Sequence, residues 1–410
     1  MATLETRGFV QQCTDREGLA RELATRPVTF YVGLDPTAGS LHAGHMIPIY
    51  AAAHLARAGH KPIILIGGGT AQIGDPSGKT EMRRMLTTEQ IDENAARIER
   101  QIRRFLATQG VEAIFVNNAR WLRGLNYIEF LRDIGRHFSV NRMLSFESYK
   151  IRLESGLSFI EFNYQLLQSF DFLTLYRDYG CELQIGGDDQ WGNIVAGADL
   201  IRRVEGGVTF GLTFPLVTRA DGKKMGKSEE GAVFLDPQLF SPYDFFQYWR
   251  NVPDADVEKL LLLYTFLPVE ECRRLGSLPG EEINHAKEVL AKELTTLVHG
   301  PEEAKRVLDA ARAAFQGGTA AAGSAEAIPE TPVPGPSLSA GIAAVDLFSM
   351  TGLCTSKGEA RRLIQQGGAR VNERKVESID TVIDDGWLED GVLLLRAGKK
   401  RYHRVRPEGT

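Results

Sequence analysis

The chain has 410 residues, 43% of them apolar and 25% charged, with a net charge of −5. That profile excludes a disordered or fibrous protein and allows two or three domains with a large core. The longest apolar run, around 260–269, is half the length of a membrane span, and no N-terminal signal pattern is present, so a soluble cytoplasmic chain is expected. Four scattered cysteines, Cys13, Cys181, Cys272 and Cys354, without a C-x-x-C pair, argue against a disulfide framework or a structural zinc. No histidine pair at helical spacing suggests a metal site, and none is expected.

In chain order, residues 1–218 alternate apolar strand-like runs ("VTFYVGL", "KPIILIGG", "VEAIFVNN", "CELQIGG") with helical patterns. Such alternation predicts a parallel sheet covered by helices on both faces. Residues 219–241 form a glycine-hinged connection containing "KKMGKS". Residues 242–318 read as helices only, with apolar residues three and four apart. Residues 319–337 hold four prolines and no Lys or Arg and read as an extended linker. From 338 to 410 a small domain is expected, in which Ser356 and Glu359 make a capping box, Gly367-Gly368 end a short helix, and "ARVNERKV" turns tightly between strands. From Ser337 onward 12 Lys/Arg face 10 Asp/Glu, and six Lys/Arg without an acid fall in 396–406. This local excess of positive charge attracts phosphate.

Three loops point to a phosphate-bearing ligand. In "YVGLDPTAGSLHAGH" a strand leads into a helix start, where ligands of doubly wound sheets bind. His42 and His45 can donate to phosphate oxygens, the helix N-terminus adds N–H groups, and Gly44 leaves room for a flat base or ribose. "GDPSGKT" resembles a P-loop but has three residues between its glycines where four are required, so that reading is rejected. Lys79 and Arg83 nevertheless offer cations. Lys223, Lys224, Lys227 and Ser228 lie in the glycine-hinged loop, which suits a lid closing on developing charge. In "EFNYQLLQSFD", Tyr164, Gln168 and Asp171 are spaced to share one helix face, polar within an apolar helix and suited to line a cleft.

"HAGH" and "KMGKS", with "YVGLDPTAGSLHAGH", "GDPSGK" and "QIGGDDQWGNI", resemble the class I aminoacyl-tRNA synthetases, and closely the bacterial tyrosyl-tRNA synthetase family, over essentially the whole chain. The resemblance implies an α/β architecture: a Rossmann-like parallel-sheet catalytic domain, an α-helical domain, and a small α+β S4-like RNA-binding domain. It implies activation of L-tyrosine by ATP with Mg²⁺, transfer to tRNA(Tyr), and a homodimer whose surface involves 130–144 and Phe159. Tyr31 and Asp171 would pair the substrate hydroxyl; Asp75, Tyr164 and Gln168 its ammonium; Gln190 its carboxylate. Gly33, Asp35, His42, Gly44, His45, Asp189 and Lys227 would hold ATP, Asp189 on the ribose. Thr37, His42, His45, Lys79, Arg83, Lys224, Lys227 and Ser228 would surround the pyrophosphate. Lys357, Arg361, Arg362, Arg370, Arg374 and Lys375 would contact tRNA phosphates. No editing domain is expected, since a hydroxyl-pairing site rejects phenylalanine unaided, a case for which tyrosyl-tRNA synthetase is itself the standard example. Gly226 stands where the commoner class I signature has serine, Val32 and Pro48 stand where some relatives have hydroxyl or thiol groups, and Asp188 has no assigned role. Alternatives are an RNA-binding relative without charging activity, or another H-x-G-H nucleotidyltransferase.

Overall fold

The computed structural model describes residues 1–77, 86–218, 225–228, 231–315, 328–398 and 401–408. Two units separate: Met1–Lys227 with Ala232–Asp236 and Pro253–Ala286, and Ser228–Gly231 with Pro237–Val252 and Lys287–Thr410.

The first unit is built on β1 (Thr29–Leu34), β2 (Lys61–Ile66), β3 (Ile114–Asn117), β4 (Cys181–Gly187) and β5 (Phe210–Phe214), in the order β3-β2-β1-β4-β5 with every pair parallel. These strands are rich in β-branched and aromatic residues, and β5 is buried along its whole length. Both sheet faces are therefore covered, as expected of a parallel sheet. Helices α1 (Met46–Arg57), α2 (Thr88–Thr108), α3 (Tyr164–Tyr179) and α4 (Trp191–Glu205) flank it. On α2 the stripe Ile91, Ala95, Ile98, Ile102 and Phe105 is buried, and a Thr87–Gln90 capping box starts the helix. Because the strand order reverses between β1 and β4, a crevice opens at their carboxyl ends.

The helices expected as one domain over 242–318 divide between the units. The first unit includes α6 (Val257–Tyr264) and α7 (Val269–Gly276), whereas α5 (Pro242–Arg250) falls in the second. An apolar stripe tells that a helix must be covered but not by what. Here Tyr264 and Phe266 pack on Tyr50 of α1, with centroids 6.0 and 5.0 Å away. Buried Arg7 donates to the carbonyls of Leu262 in the last turn of α6, of its cap residue Thr265, and of Leu267 just beyond.

In the second unit, Phe245 of α5 meets the His299 ring edge-on at 5.1 Å. Helices α8 (Ile283–His299) and α9 (Pro301–Phe315) follow α7 in the chain. A small sheet combines β6 (Glu330–Pro334), β7 (Ala369–Val371), β8 (Arg374–Lys375), β9 (Leu393–Ala397) and β10 (Arg401–Glu408) in the order β8-β7-β9-β10-β6. With α10 (Ala344–Met350) and α11 (Lys357–Gln365) it encloses a core of Val333, Leu347, Phe348, Ile364, Val371 and Leu395. Strand β6 lies within the expected linker, so the ordered small domain begins earlier than 338. Its prolines are tolerated because it is an edge strand, and Glu330 anchors it to Arg404 and Arg406. Asn372 and Glu373, at φ 48° and 62°, form the tight turn. At α11 only half of the expected capping box is made: Glu359 N donates to Ser356 Oγ, but the Glu359 carboxylate accepts from Thr355. Among the described residues no helix is long and apolar enough to cross a membrane.

Candidate active site

The crevice is a cleft of about 470 Å³, lined from the ends of β1 and β4, the starts of α1 and α3, and Tyr264 of α6. Its blind end is polar inside an apolar wall. Asp171, 2% exposed, accepts from Asn118 Nδ2 at 2.8 Å and Trp121 Nε1 at 2.7 Å. Burial pushes its carboxyl up to about 8, although these two donors pull the other way. Tyr31, 1% exposed, lies against Phe172, and its hydroxyl has no hydrogen-bond partner among the described residues. Burial, then the charge of Asp171, drives that phenol well above its ordinary range. An unpartnered buried hydroxyl costs free energy unless something else bonds it.

A hydrogen-bonded chain continues from this end. Asn118 also donates to Thr70 Oγ1 at 3.0 Å, Thr70 donates to Asp35 at 2.7 Å, and Tyr164 donates to the other Asp35 oxygen at 2.8 Å. Asp35 therefore links the start of α3 to this hydrogen-bonded chain. Beside it, Gln190 Nε2 donates to Asp75 at 2.7 Å, and Asn193 donates to Gln168 at 3.0 Å and Gln190 at 3.2 Å. Burial and the nearby charge of Asp75 raise the Asp189 carboxyl. Several acids at one spot make the cleft attractive to a cationic group.

At the start of α1, His42 caps a short turn over Ala43–His45. Its Nδ1 accepts from Gly44 N at 3.1 Å, while His42 N donates to His45 Nδ1 at 3.3 Å. With both Nδ1 atoms accepting, each neutral ring carries its proton on Nε2. The rings stack 3.7 Å apart. The second signature lies on the first: a Cβ added at Gly44 would meet Met225 O at 3.2 Å, and one at Gly226 would meet Gly44 N at 2.5 Å. Gly226 also has φ +85°. Its departure from serine thus has a local reason, since this close approach in a left-handed conformation requires glycine. Farther along, Ala43 N donates to Val233 O and Leu235 N to Leu41 O, both at 2.9 Å, fixing the far root of the loop.

The cleft brings together Tyr31, Gly33, Asp35, Thr37, His42, Gly44, His45, Asp75, Tyr164, Gln168, Asp171, Asp189 and Gln190 from the expected set. Val32 and Pro48 line it as well. Lys79, Arg83, Lys223 and Lys224 lie outside the described residues, and Lys227 and Ser228 are described only as a short strand. In the small domain, Arg361 and Arg362 are exposed on α11. Lys357 pairs with Asp346 at 2.8 Å, Lys375 approaches Glu377, and Arg374 lies over Trp387 at 5.9 Å. Sequence reasoning missed Thr70, Asn118, Trp121, Gln184 and Asn193. The signal was present for two of them. Asn118 ends the polar pair closing an apolar strand, and Gln184 is a lone amide inside β4, where it lines the cleft 3% exposed.

Comparison with known proteins gives the family. Residues 23–316 match the family model of class I tRNA synthetases (W and Y), and residues 326–405 match a tyrosine–tRNA ligase SYY-like C-terminal domain. The chain is 58% identical to a tyrosine–tRNA ligase of Treponema denticola, covering 98% of both chains. It is 54% identical to one of Caldanaerobacter subterraneus subsp. tengcongensis, covering 99% of this chain and 98% of that one. Among solved structures, a C-terminally truncated mitochondrial tyrosyl-tRNA synthetase of Aspergillus nidulans superposes with a TM-score of 0.68 at 29% identity, covering 75% of this chain and 91% of that one. The chain belongs to the class I aminoacyl-tRNA synthetases, in the bacterial tyrosyl-tRNA synthetase family.

Proposed function

We propose that the chain is an ATP-dependent tyrosine–tRNA ligase, joining L-tyrosine to ATP and then to the terminal ribose of tRNA(Tyr). The observation that carries this reading is the buried pair at the blind end. Asp171, held by two N–H donors beside the unpartnered Tyr31 hydroxyl, suits a phenolic substrate better than a plain ring. Such a site rejects phenylalanine because the analogue leaves buried polar atoms unpaired.

In this reading Asp75, Tyr164 and Gln168 receive the ammonium and Gln190 orients the carboxylate. That carboxylate is already a nucleophile at neutral pH. It attacks the α-phosphorus of ATP in line, forming tyrosyl-adenylate and releasing pyrophosphate. The protein's task is positioning and charge stabilisation. Asp189 holds the ribose beside Gly33, Gly44 and Asp35. Nε2–H groups of His42 and His45, with Thr37, Lys79, Arg83, Lys224, Lys227 and Ser228, surround the departing pyrophosphate. Mg²⁺ enters with ATP as part of the substrate. A terminal ribose hydroxyl then attacks the tyrosyl carbonyl and AMP leaves.

Arg361, Arg362, Lys357, Arg370, Arg374 and Lys375 supply tRNA phosphate contacts, which position RNA without reading sequence. Phe159 at 71% exposure, with exposed Ile128 and Val140, suits burial against a second copy in a homodimer. A cytoplasmic location follows from the tRNA substrate. The test is pyrophosphate exchange: label enters ATP with tyrosine, not with phenylalanine or tryptophan. Exchange driven equally by phenylalanine overturns the pocket assignment, and no exchange with any amino acid overturns the enzyme reading.

A further inference from the structure

One acid of "GGDDQW" has no place in the cleft. Asp188 is absent from the lining, although Asp189 and Gln190 on the same short turn belong to it. Its Oδ1 accepts from Gln12 Nε2 at 2.7 Å and from Thr213 Oγ1 at 2.8 Å. Gln12 reaches this point because residues 11–14 run antiparallel along β5. Gln11 N donates to Thr213 O and Thr213 N to Gln12 O, both at 2.9 Å, and Thr14 N donates to Gly211 O at 3.0 Å. Gln12 N also donates to Thr213 Oγ1 at 3.1 Å, so the backbone and side chains of the two residues interlock.

The turn held in this way is tight. A Cβ on Gly187 would lie 2.6 Å from Asp189 Oδ1, and one on Gly186 3.3 Å from Gln190 Cβ, so both side chains fold back over the strand end into the cleft. With Asp189 and Gln190 directed one way, Asp188 is the handle on the other side. A carboxylate gripped by two donors fixes the turn in a single orientation, because charge-assisted hydrogen bonds are short and strong. We infer that Gln12, acting through Asp188, is a positioning residue for adenylate formation: the N-terminal segment sets the angle at which Asp189 and Gln190 meet the nucleotide and the amino-acid carboxylate. This rests on the assignment of those two residues to the substrates under the proposed function.

The test compares Gln12→Met, which keeps the length and loses the donor, with Gln12→Lys, which keeps a donor to a carboxylate. Gln12 is only partly buried, so both substitutions fit. In pyrophosphate exchange, Gln12→Met lowers kcat about tenfold, the equivalent of one hydrogen bond to a charged group, and Gln12→Lys restores most of it. The tyrosine Kd without ATP rises by less than kcat falls, because Gln190 meets the carboxylate while the phenol contacts are untouched, and the melting temperature is nearly unchanged because the core is untouched. On an Asp188→Ala background, which removes the acceptor, Gln12→Met adds little further loss. Should Gln12→Met fail to fold, Gln12→Glu replaces it, with kcat well below that of Gln12→Lys. Unchanged kcat in Gln12→Met, no recovery with lysine, or fully additive losses with Asp188→Ala would each overturn the inference. Asp189→Ala keeps the two claims apart: full exchange in that variant removes the substrate assignment itself, whatever Gln12 does.

Discussion

Replacing Asp171 by Asn keeps the shape of the side chain and removes one of its acceptor oxygens and its titration. The two donors, at 2.8 and 2.7 Å, each require an acceptor, and an amide offers one oxygen. The amide nitrogen must then face either Asn118 or Trp121, which leaves a buried donor without an acceptor and takes one oxygen away from the substrate phenol. A buried donor left unsatisfied costs about 1–3 kcal/mol, so the tyrosine Kd should rise roughly tenfold to a hundredfold. Phenylalanine never makes that bond, so its weak binding should change little and the selectivity ratio should fall by a similar factor. ATP binding should be unaffected. Equilibrium dialysis with both amino acids and exchange kinetics measure these quantities.

The same substitution has a signature in stability. The folded protein keeps a proton on Asp171 up to about pH 8, whereas the unfolded chain releases it near the ordinary carboxyl value. The native state therefore binds the extra proton, and wild-type stability declines as pH climbs between those limits. Asp171→Asn should flatten that decline in melts taken from pH 5 to pH 9. An equal loss for tyrosine and phenylalanine, or an unchanged pH slope, refutes the reasoning.

Other predictions follow from the same geometry. Gly226→Ala places a Cβ 2.5 Å from Gly44 N in a left-handed backbone, so exchange kcat should drop at least about tenfold with tyrosine affinity preserved; an unaltered kcat would show that the two signatures need not touch. His54 is held neutral, its imidazole lowered to about 3 by burial and by Arg7 and Arg57. The unfolded chain takes up a proton below its ordinary value of 6.5 and the fold does not, so stability is lost as pH falls from there. His54→Leu should recover about 2 kcal/mol of that acid loss at pH 5, read as a smaller drop in melting temperature. Arg361→Ala with Arg362→Ala should raise the tRNA KM for charging and reduce its salt slope by about two, since each lost phosphate contact removes about one counterion. An unchanged slope would place the RNA elsewhere.

Much of the sheet was readable because parallel strands are apolar on both faces, and "KPIILI" and "TFYVGL" cannot be half-exposed. The face carrying Tyr164, Gln168 and Asp171 was readable for a complementary reason: polar residues at helical spacing inside an apolar helix must meet something polar. What could not be read was partnership across distance. Nothing local in "NNARW" says that Asn118 and Trp121 both grip a carboxylate 53 and 50 residues away, or that Gln12 holds a turn 176 residues further on. That the glycine of the second signature lies against Gly44 could not be read from the sequence either. The proline-rich stretch before 338 reads as a linker on composition, and only the sheet edge it completes makes it a strand.

The most direct test is a crystal structure with a non-hydrolysable tyrosyl-adenylate analogue. The phenolic oxygen should lie within hydrogen-bond distance of both Tyr31 and Asp171, the ribose against Asp189, and the phosphate mimic between the His42–His45 turn and the Met225–Gly226 loop. A ligand seated outside this cleft, or bound with its ring pointing away from Asp171, contradicts the account.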